Sequence, residues 1–111
     1  MDMSILIQSE WIIRGYDENN NQHSARESRA LGRFVESKSE DLEYYLSFHS
    51  YGQFIIIPYA FSKTHAENYD ETQEMGLRAA YKIRSFNNKS YAVGTAYDTV
   101  GYTVGGSSTC W

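Results

Sequence analysis

An α/β fold is predicted by the order of the periodic segments along the chain. Apolar residues recur at helical spacing in two segments, and short stretches typical of strands lie between and after them. The resulting order is helix, strand, strand, helix, strand and a Gly-rich tail. With 111 residues, of which 41% are hydrophobic and 22% charged, the chain has the composition of one folded domain at most.

The N-terminal segment is apolar but interrupted. Gln8, Ser9 and Glu10 divide the apolar residues of 3–13, and no basic residue precedes them. A secretory signal needs a basic start and a continuous apolar stretch, so we predict a short strand or a partly ordered arm and no signal peptide. The polar residues 17–21 predict a loop, and this loop is the one candidate for a domain boundary.

The first predicted helix begins where Ser24 and Glu27 have the spacing of a capping box. It is expected to end near Lys38, and Gly32 within it costs about 1 kcal/mol relative to alanine. Its apolar residues recur at helical spacing and therefore share one face. That face consists of Ala30, Leu31, Phe34 and Val35.

Two strands are predicted next. Residues 42–50 alternate, so four apolar side chains share one face and a more polar set shares the other. Residues 54–57 read Phe-Ile-Ile-Ile without alternation, which is typical of a strand covered on both faces. The apolar face of the first strand has Leu42, Tyr44, Leu46 and Phe48, and the other face has Glu43, Tyr45, Ser47 and His49.

A second helix is predicted to begin at Asn68 or Asp70, since each is followed three residues later by a residue that completes a capping box. It ends at residues 87–88. Residues 90–96 predict a third strand, and residues 98–111, which contain three glycines, predict a long turning loop. The apolar stripe of the helix consists of Met75, Ala79, Ile83 and Phe86, with Ala80 beside it.

Composition excludes several classes of function. The net charge of −4 (10 basic minus 14 acidic residues) provides no surface for nucleic acid, and no run of about 18 apolar residues predicts a membrane span. Cys110 is the single cysteine, so it cannot form an internal disulfide, and we interpret it as an inert thiol. Residues 105–108 lack the lysine and the following helix of a phosphate-binding loop.

The three histidines form no metal motif in the local sequence. None belongs to a His-x-x-x-His or His-x-x-Glu pair. His49 differs from the others because it lies at the end of a predicted strand, where α/β folds place ligands. From the residues alone, His49 is either a metal ligand or a structural histidine, and His23 and His65 are interpreted as surface residues.

The segment 46–59 reads Leu-Ser-Phe-His-Ser-Tyr-Gly-Gln-Phe-Ile-Ile-Ile-Pro-Tyr and resembles the third-ligand segment of zinc carboxypeptidases of the A/B type. The helices predicted on both sides, the strand at 90–94 and the loop at 102–111 also resemble that family. The likeness covers about residues 24–111. We therefore predict an unmatched segment over 1–22 and a partial catalytic domain over 23–111.

The resemblance implies a role for five residues. His49 resembles the third zinc ligand, and Ser50 and Tyr51 resemble residues of the subsite beyond the scissile bond. Tyr102 resembles the tyrosine that closes over the C-terminal carboxylate of the substrate. Thr109 resembles the specificity position of the side-chain pocket, where its uncharged side chain favours neutral residues.

The same resemblance carries three further expectations. The spacing from Gly94 to Tyr102 is one residue longer than in the family, so Tyr97 is the second choice for the role of the carboxylate-covering tyrosine. Cys110 stands where the family has an aspartate, which makes the pocket atypical. The bonds Ser50–Tyr51 and Pro58–Tyr59 match non-proline cis bonds of the family.

For function, the resemblance implies an extracellular zinc enzyme that hydrolyses the C-terminal peptide bond of peptides and proteins. The family's His-x-x-Glu ligands and its general-base glutamate are missing, so no catalytic residue is assigned here. We therefore expect an incomplete piece of the mixed-sheet fold, with helices packed on the sheet, that is truncated and inactive. The alternative is a non-catalytic remnant that binds a peptide or a partner. Self-association through exposed sheet edges is also expected.

Overall fold

The computed structural model of the protein describes residues 3–9 and 26–105, with side chains over 26–49 and 51–105. Strands and helices alternate through most of this range, which confirms the α/β prediction. The elements are β1 (Met3–Ser9), α1 (Arg26–Glu36), β2 (Tyr44–Ser50), β3 (Phe54–Ile56), α2 (Tyr69–Asn87), β4 (Ala92–Gly94) and α3 (Ala96–Val100).

The four strands form one mixed sheet in the order β2-β1-β3-β4. β1 is antiparallel to β2 and parallel to β3, and β4 is parallel to β3. The N-terminal segment is therefore a strand over residues 3–9, one of the two forms predicted for it. β1 also lies between β2 and β3, which are consecutive in the chain and joined by only residues 51–53.

Apolar packing covers β3 on both faces, as its unbroken apolar sequence predicts. Ile55 and Ile57 are fully buried against α2 on one face. Ile56 packs into a second cluster on the opposite face, which is built on Val35 of α1 and Ala96 of α3. The α2 side chains in the first cluster are Tyr69, Met75, Ala79, Ala80 and Ile83.

The start of α2 differs from the predicted capping box. The helix begins at Tyr69 with Asn68 as the preceding cap residue, but the Asn68 side chain makes no capping hydrogen bond. Its backbone is not in the extended conformation that such a bond requires (φ −96°, ψ 24°). The end of α2 is as predicted, since Asn88 adopts the left-handed conformation and its N–H bonds the Arg84 carbonyl.

The predicted apolar faces of both long helices are buried only in part. α1 buries Gly32 and Val35, whereas Ala30, Leu31 and Phe34 are exposed. The reason is that α1 contacts the core along a narrower arc than its apolar residues occupy. In α2, Phe86 is exposed because it lies beyond Ile83, the last helix residue in the core cluster.

The C-terminal tail was predicted as a loop from residue 98, but its first residues belong to α3, which begins at Ala96. Thr95 caps this helix, because its hydroxyl oxygen accepts a hydrogen bond from the backbone N–H of Asp98 at 3.2 Å. The strand predicted over 90–96 is correspondingly shorter, only Ala92–Gly94. After α3 the chain returns to the loop that follows β3, where the Val104 N–H donates to the Ala60 carbonyl at 2.8 Å.

Candidate functional site

His49 is the next-to-last residue of β2, as the sequence analysis predicted, and its side chain is exposed. In the register of the sheet it lies opposite Ser4 of β1. Because β2 is antiparallel to β1, its carboxyl end lies beside the amino ends of β1 and β3. His49 is thus held by the strand pairing at this edge of the sheet.

Tyr51 follows β2 directly, and 88% of its surface is accessible. Gly52 comes next with φ at +126°, a conformation that favours glycine and turns the chain from β2 toward β3. Ser50 is the last residue of β2, and its side chain lies outside the described residues. His49 and Tyr51 therefore share one edge of the sheet.

Tyr102 lies near the edge of the sheet opposite to the one that carries His49. It follows α3, which begins after the carboxyl end of β4, and Gly101 between them has φ at +84°. The bond from Val104 to Ala60 holds this segment beyond the carboxyl end of β3. The described residues therefore do not bring Tyr102 to the edge that carries His49. Thr109 and Cys110 lie outside the described residues.

A side-chain cluster that the sequence analysis missed lies beyond the carboxyl ends of β3 and β4. The Nε2 atom of His65 is 3.3 Å from Oδ2 of Asp98. The His65 ring also stacks on Tyr69, with centroids 3.6 Å apart and planes 5° apart. His65 is a surface residue, as the sequence analysis expected, since its side chain is 44% exposed, but it also contacts two other side chains that the sequence did not indicate.

The cluster shifts two titration equilibria. A hydrogen bond from the Thr95 hydroxyl, and secondarily the contact with His65, lowers the pKa of Asp98 below its ordinary value. Partial burial, and secondarily the negative charge of Asp98, raises the pKa of Tyr69. The only local signal of the cluster was the Thr95-x-x-Asp98 spacing, because His65 and Asp98 are 33 residues apart in the chain.

A second contact joins the same loop to α3. The Nζ atom of Lys63 lies 4.5 Å from the centroid of the Tyr97 ring, which is the geometry of a cation–π interaction. At an exposed position such a contact contributes about 0.5–1 kcal/mol. His65 and Lys63 therefore each connect the segment before α2 to the short helix that precedes Tyr102.

The bond Pro58–Tyr59 is cis, as the family resemblance led us to expect. It lies directly after β3, next to the buried Ile57. The expectation for Ser50–Tyr51 stays a prediction.

Comparison with known proteins covers most of the residues described above. The sequence model of the zinc carboxypeptidase family matches residues 14–111. The chain belongs to the zinc carboxypeptidase family. The match begins before the boundary expected after residue 22 and includes β2, β3, β4 and all three helices. β1 lies outside the match, although it is an internal strand of the sheet.

Three zinc carboxypeptidases illustrate the match, at 30–36% identity. Carboxypeptidase O of Bos taurus is 36% identical over 88 residues, which are 79% of this chain and 23% of that protein. A zinc carboxypeptidase of Simulium vittatum is 33% identical over 85 residues, 77% of this chain and 28% of that protein. Carboxypeptidase B of Rattus norvegicus is 30% identical over 88 residues. The chain thus spans about a quarter of the length of these relatives.

The family's metal is zinc. His49 offers one imidazole donor at an exposed strand end. A protein zinc site uses three or four such donors, and the described range holds no group of three or more His, Cys, Asp or Glu residues placed to share an ion. His49 fits as one ligand, and no complete site lies within the residues described.

Within the same range, no helix is both long and apolar enough to cross a membrane.

Proposed function

We propose that this chain is part of a zinc carboxypeptidase that hydrolyses the C-terminal peptide bond of peptides and proteins, and that His49 is a ligand of the zinc ion. The observation that supports this most is the family match over residues 14–111, which includes the segment with His49 at the end of β2. When bound, the zinc ion supplies Lewis-acid chemistry to the peptide carbonyl and to water.

In this proposal His49 contributes one imidazole nitrogen from the end of a strand. The pairing of β2 with β1 holds the backbone of His49 in the sheet, and the chain turns at Gly52 shortly after it. A ligand at the end of a strand is held more rigidly than one in a loop, which favours binding because less conformational entropy is lost.

Substrate contacts are proposed for four residues. Ser50 and Tyr51 follow His49 in the chain and would contact the peptide beyond the scissile bond. Tyr102 would close over the C-terminal carboxylate, and its side chain is exposed in the segment after α3. Thr109 would line the side-chain pocket, where an uncharged residue favours neutral C-terminal side chains.

We also propose that these 111 residues do not catalyse hydrolysis by themselves. The sequence contains no His-x-x-Glu pair to complete the zinc site. A single histidine binds zinc weakly, because the affinity of protein zinc sites comes from several ligands that act together. The extracellular location and the division at residue 22 remain parts of the same proposal.

The experiment is a zinc titration of the 111-residue chain at neutral pH, monitored by the imidazole signals in NMR spectra. We expect zinc to shift the His49 signals with weak affinity, and His49→Ala to remove that response. His65→Gln is the matched control, because His65 lies in a different part of the fold. A response confined to residues other than His49 would contradict its role as a ligand.

A peptide-hydrolysis assay with added zinc tests the second part of the proposal. We expect no release of C-terminal residues by this chain. Turnover that disappears in His49→Ala would show that the 111 residues are active, and the proposal of inactivity would then be abandoned while the role of His49 would stand.

A further inference from the structure

We propose that Asn88 accepts an N-linked oligosaccharide when this chain enters the secretory lumen of a eukaryotic cell. The inference rests on the extracellular location in the proposed function, because a protein that stays in the cytosol does not meet the transferase that attaches such glycans. It needs neither zinc nor substrate, since Asn88 and its neighbours take no part in the site proposed above.

Residues 88–90 read Asn-Lys-Ser, which is an acceptor motif for these glycans. The motif requires an asparagine, then any residue except proline, then a serine or threonine. Of the six asparagines in the chain, only Asn88 is followed two positions later by a hydroxyl residue. Its direct neighbour Asn87 has Lys89 at that position. The 111 residues therefore contain one acceptor motif and, beside it, a matched asparagine outside the motif.

The backbone of Asn88 closes helix α2 without the help of its side chain. Asn88 is in the left-handed conformation (φ 59°, ψ 21°), and its N–H donates to the Arg84 carbonyl at 2.8 Å. Among the described residues, no hydrogen bond involves the Asn88 side chain. Asn87 differs, because its Oδ1 atom accepts a hydrogen bond from the Lys89 N–H at 3.0 Å. A glycan on Asn88 therefore removes no bond that holds the end of the helix.

The segment 84–90 lies between two residues of the core and outside the core itself. Ile83 is the last residue of α2 in the cluster around Ile55 and Ile57, and Tyr91 is the next residue along the chain that packs against it. All seven residues between Ile83 and Tyr91 are exposed within the described part of the chain. A bulky polar group at Asn88 therefore requires no rearrangement of this cluster.

Transfer of the glycan depends on the local sequence and not on the finished surface of the protein. The oligosaccharide is attached while the chain emerges into the lumen, before distant segments of a long protein have packed together. Segments of the longer protein outside these 111 residues therefore do not decide whether the transferase reaches Asn88. The fold has only to leave room for the product, and the exposed residues after α2 do so in the described range.

The transfer is a substitution at the anomeric carbon of the donor sugar. The donor is an oligosaccharide that a pyrophosphate joins to a membrane lipid. The Nδ2 atom of Asn88 forms a bond to the anomeric carbon, and the bond between that carbon and the phosphate oxygen breaks. The lipid pyrophosphate leaves with the electron pair of the broken bond, and Nδ2 loses one proton to a basic group of the transferase. No oxidant or reductant takes part.

The first experiment is cell-free translation of the 111-residue chain, preceded by a cleavable signal sequence, in the presence of microsomes. We expect a slower-migrating band that endoglycosidase H converts back to the unmodified one. Asn88→Gln should lose this band, and Asn87→Gln, the matched control, should keep it. Absence of the band in the unchanged chain, or its persistence in Asn88→Gln, would overturn the proposal.

Ser90→Ala tests the motif without changing the asparagine. This variant is needed because glutamine at position 88 would have to adopt a φ of 59°, a conformation that is unfavourable for most residues other than glycine and asparagine. We expect Ser90→Ala to lose the glycosylated band and Ser90→Thr, which keeps a hydroxyl group, to retain it. Equal modification of Ser90→Ala and the unchanged chain would contradict recognition of this motif.

Peptide mapping of the modified chain locates the glycan. Peptide N-glycosidase F releases the oligosaccharide and converts the asparagine that carried it to an aspartate, which changes the mass of that residue. We expect this change at position 88 and none at position 87. A change at position 87 in place of position 88 would overturn the assignment.

The added signal sequence separates this proposal from the proposed function, because it directs the chain into the lumen whatever the natural location of the protein is. Modification in microsomes, together with an unmodified Asn88 in the protein from its natural source, would support the acceptor and contradict the extracellular location. A chain that microsomes leave unmodified would refute the acceptor, and the role proposed for His49 would be unaffected.

Discussion

The Nε2 atom of His65 lies 3.3 Å from Oδ2 of Asp98 and connects the loop before α2 to the short helix α3. Both side chains are more than two-fifths exposed, so water and salt screen the contact, and it contributes less than about 1 kcal/mol to folding. Its importance is geometric, because α3 is the element that directly precedes Tyr102. A change at Asp98 is therefore expected to move the segment that follows α3.

Asp98→Asn is expected to change the pH dependence of stability. The pKa of the Asp98 carboxyl is lowered in the folded state, mainly by the Thr95 hydroxyl, from an ordinary value of 3.8. The carboxylate therefore stabilises the fold above that ordinary value, and the stabilisation is lost as pH falls through the lowered pKa. Urea unfolding at pH 7 and pH 3 should show that the free energy of unfolding falls less in acid for Asp98→Asn than for the unchanged chain. Asp70→Asn is the control at an exposed position.

Thr95→Val is expected to destabilise the protein by about 1–2 kcal/mol, the usual cost of removing a helix cap. Thr95 is fully buried, and its hydroxyl accepts a hydrogen bond from the Asp98 N–H at 3.2 Å. The pKa of Asp98 should also rise, because its largest lowering influence is removed. Thr103→Val is the control at an exposed position, and an unchanged Asp98 pKa by NMR would contradict this assignment.

Tyr69→Phe is expected to reduce the loss of stability in alkali. Partial burial, followed by the charge of Asp98, raises the pKa of the Tyr69 phenol above 10.0. Folding therefore favours the protonated phenol, and the stability falls as pH rises from 10.0 through the raised pKa. Unfolding measured at pH 9 and pH 11 should show the smaller decrease in Tyr69→Phe. Tyr81→Phe, at an exposed position of α2, is the control.

The sequence predicts those elements whose packing follows directly from local periodicity. The strand at 54–57 was recognised because both of its faces are apolar, and the two clusters on either side of Ile55 and Ile56 confirm it. The end of α2 was recognised because asparagine readily adopts the left-handed conformation that closes a helix. His49 was placed correctly at the end of β2 because the alternation of residues 42–50 is itself a local pattern that predicts a strand.

The features that the sequence did not predict arise from contacts between distant parts of the chain. Phe34 and Phe86 lie on apolar helical stripes, but only tertiary packing decides how much of a stripe is covered. The contact of His65 with Asp98 spans 33 residues and leaves no periodic signal. The insertion of β1 between two consecutive strands likewise depends on pairing that no local pattern predicts.

Gly76→Ala is expected to destabilise the fold although alanine is the better helix former. A Cβ atom at position 76 would lie 2.5 Å from Cγ1 of Val93, where α2 packs on β4. Overpacking of this kind costs about 1–3 kcal/mol, which exceeds the gain of about 1 kcal/mol in helix propensity.

The double variant Gly76→Ala/Val93→Ala identifies the cause of that loss. Removal of the Val93 methyl groups makes room for the new Cβ atom, so the Gly76 substitution should cost less in the Val93→Ala background than in the unchanged chain. Urea unfolding of the four proteins gives this coupling energy. Equal costs in the two backgrounds would mean that the destabilisation does not arise from the contact with Val93.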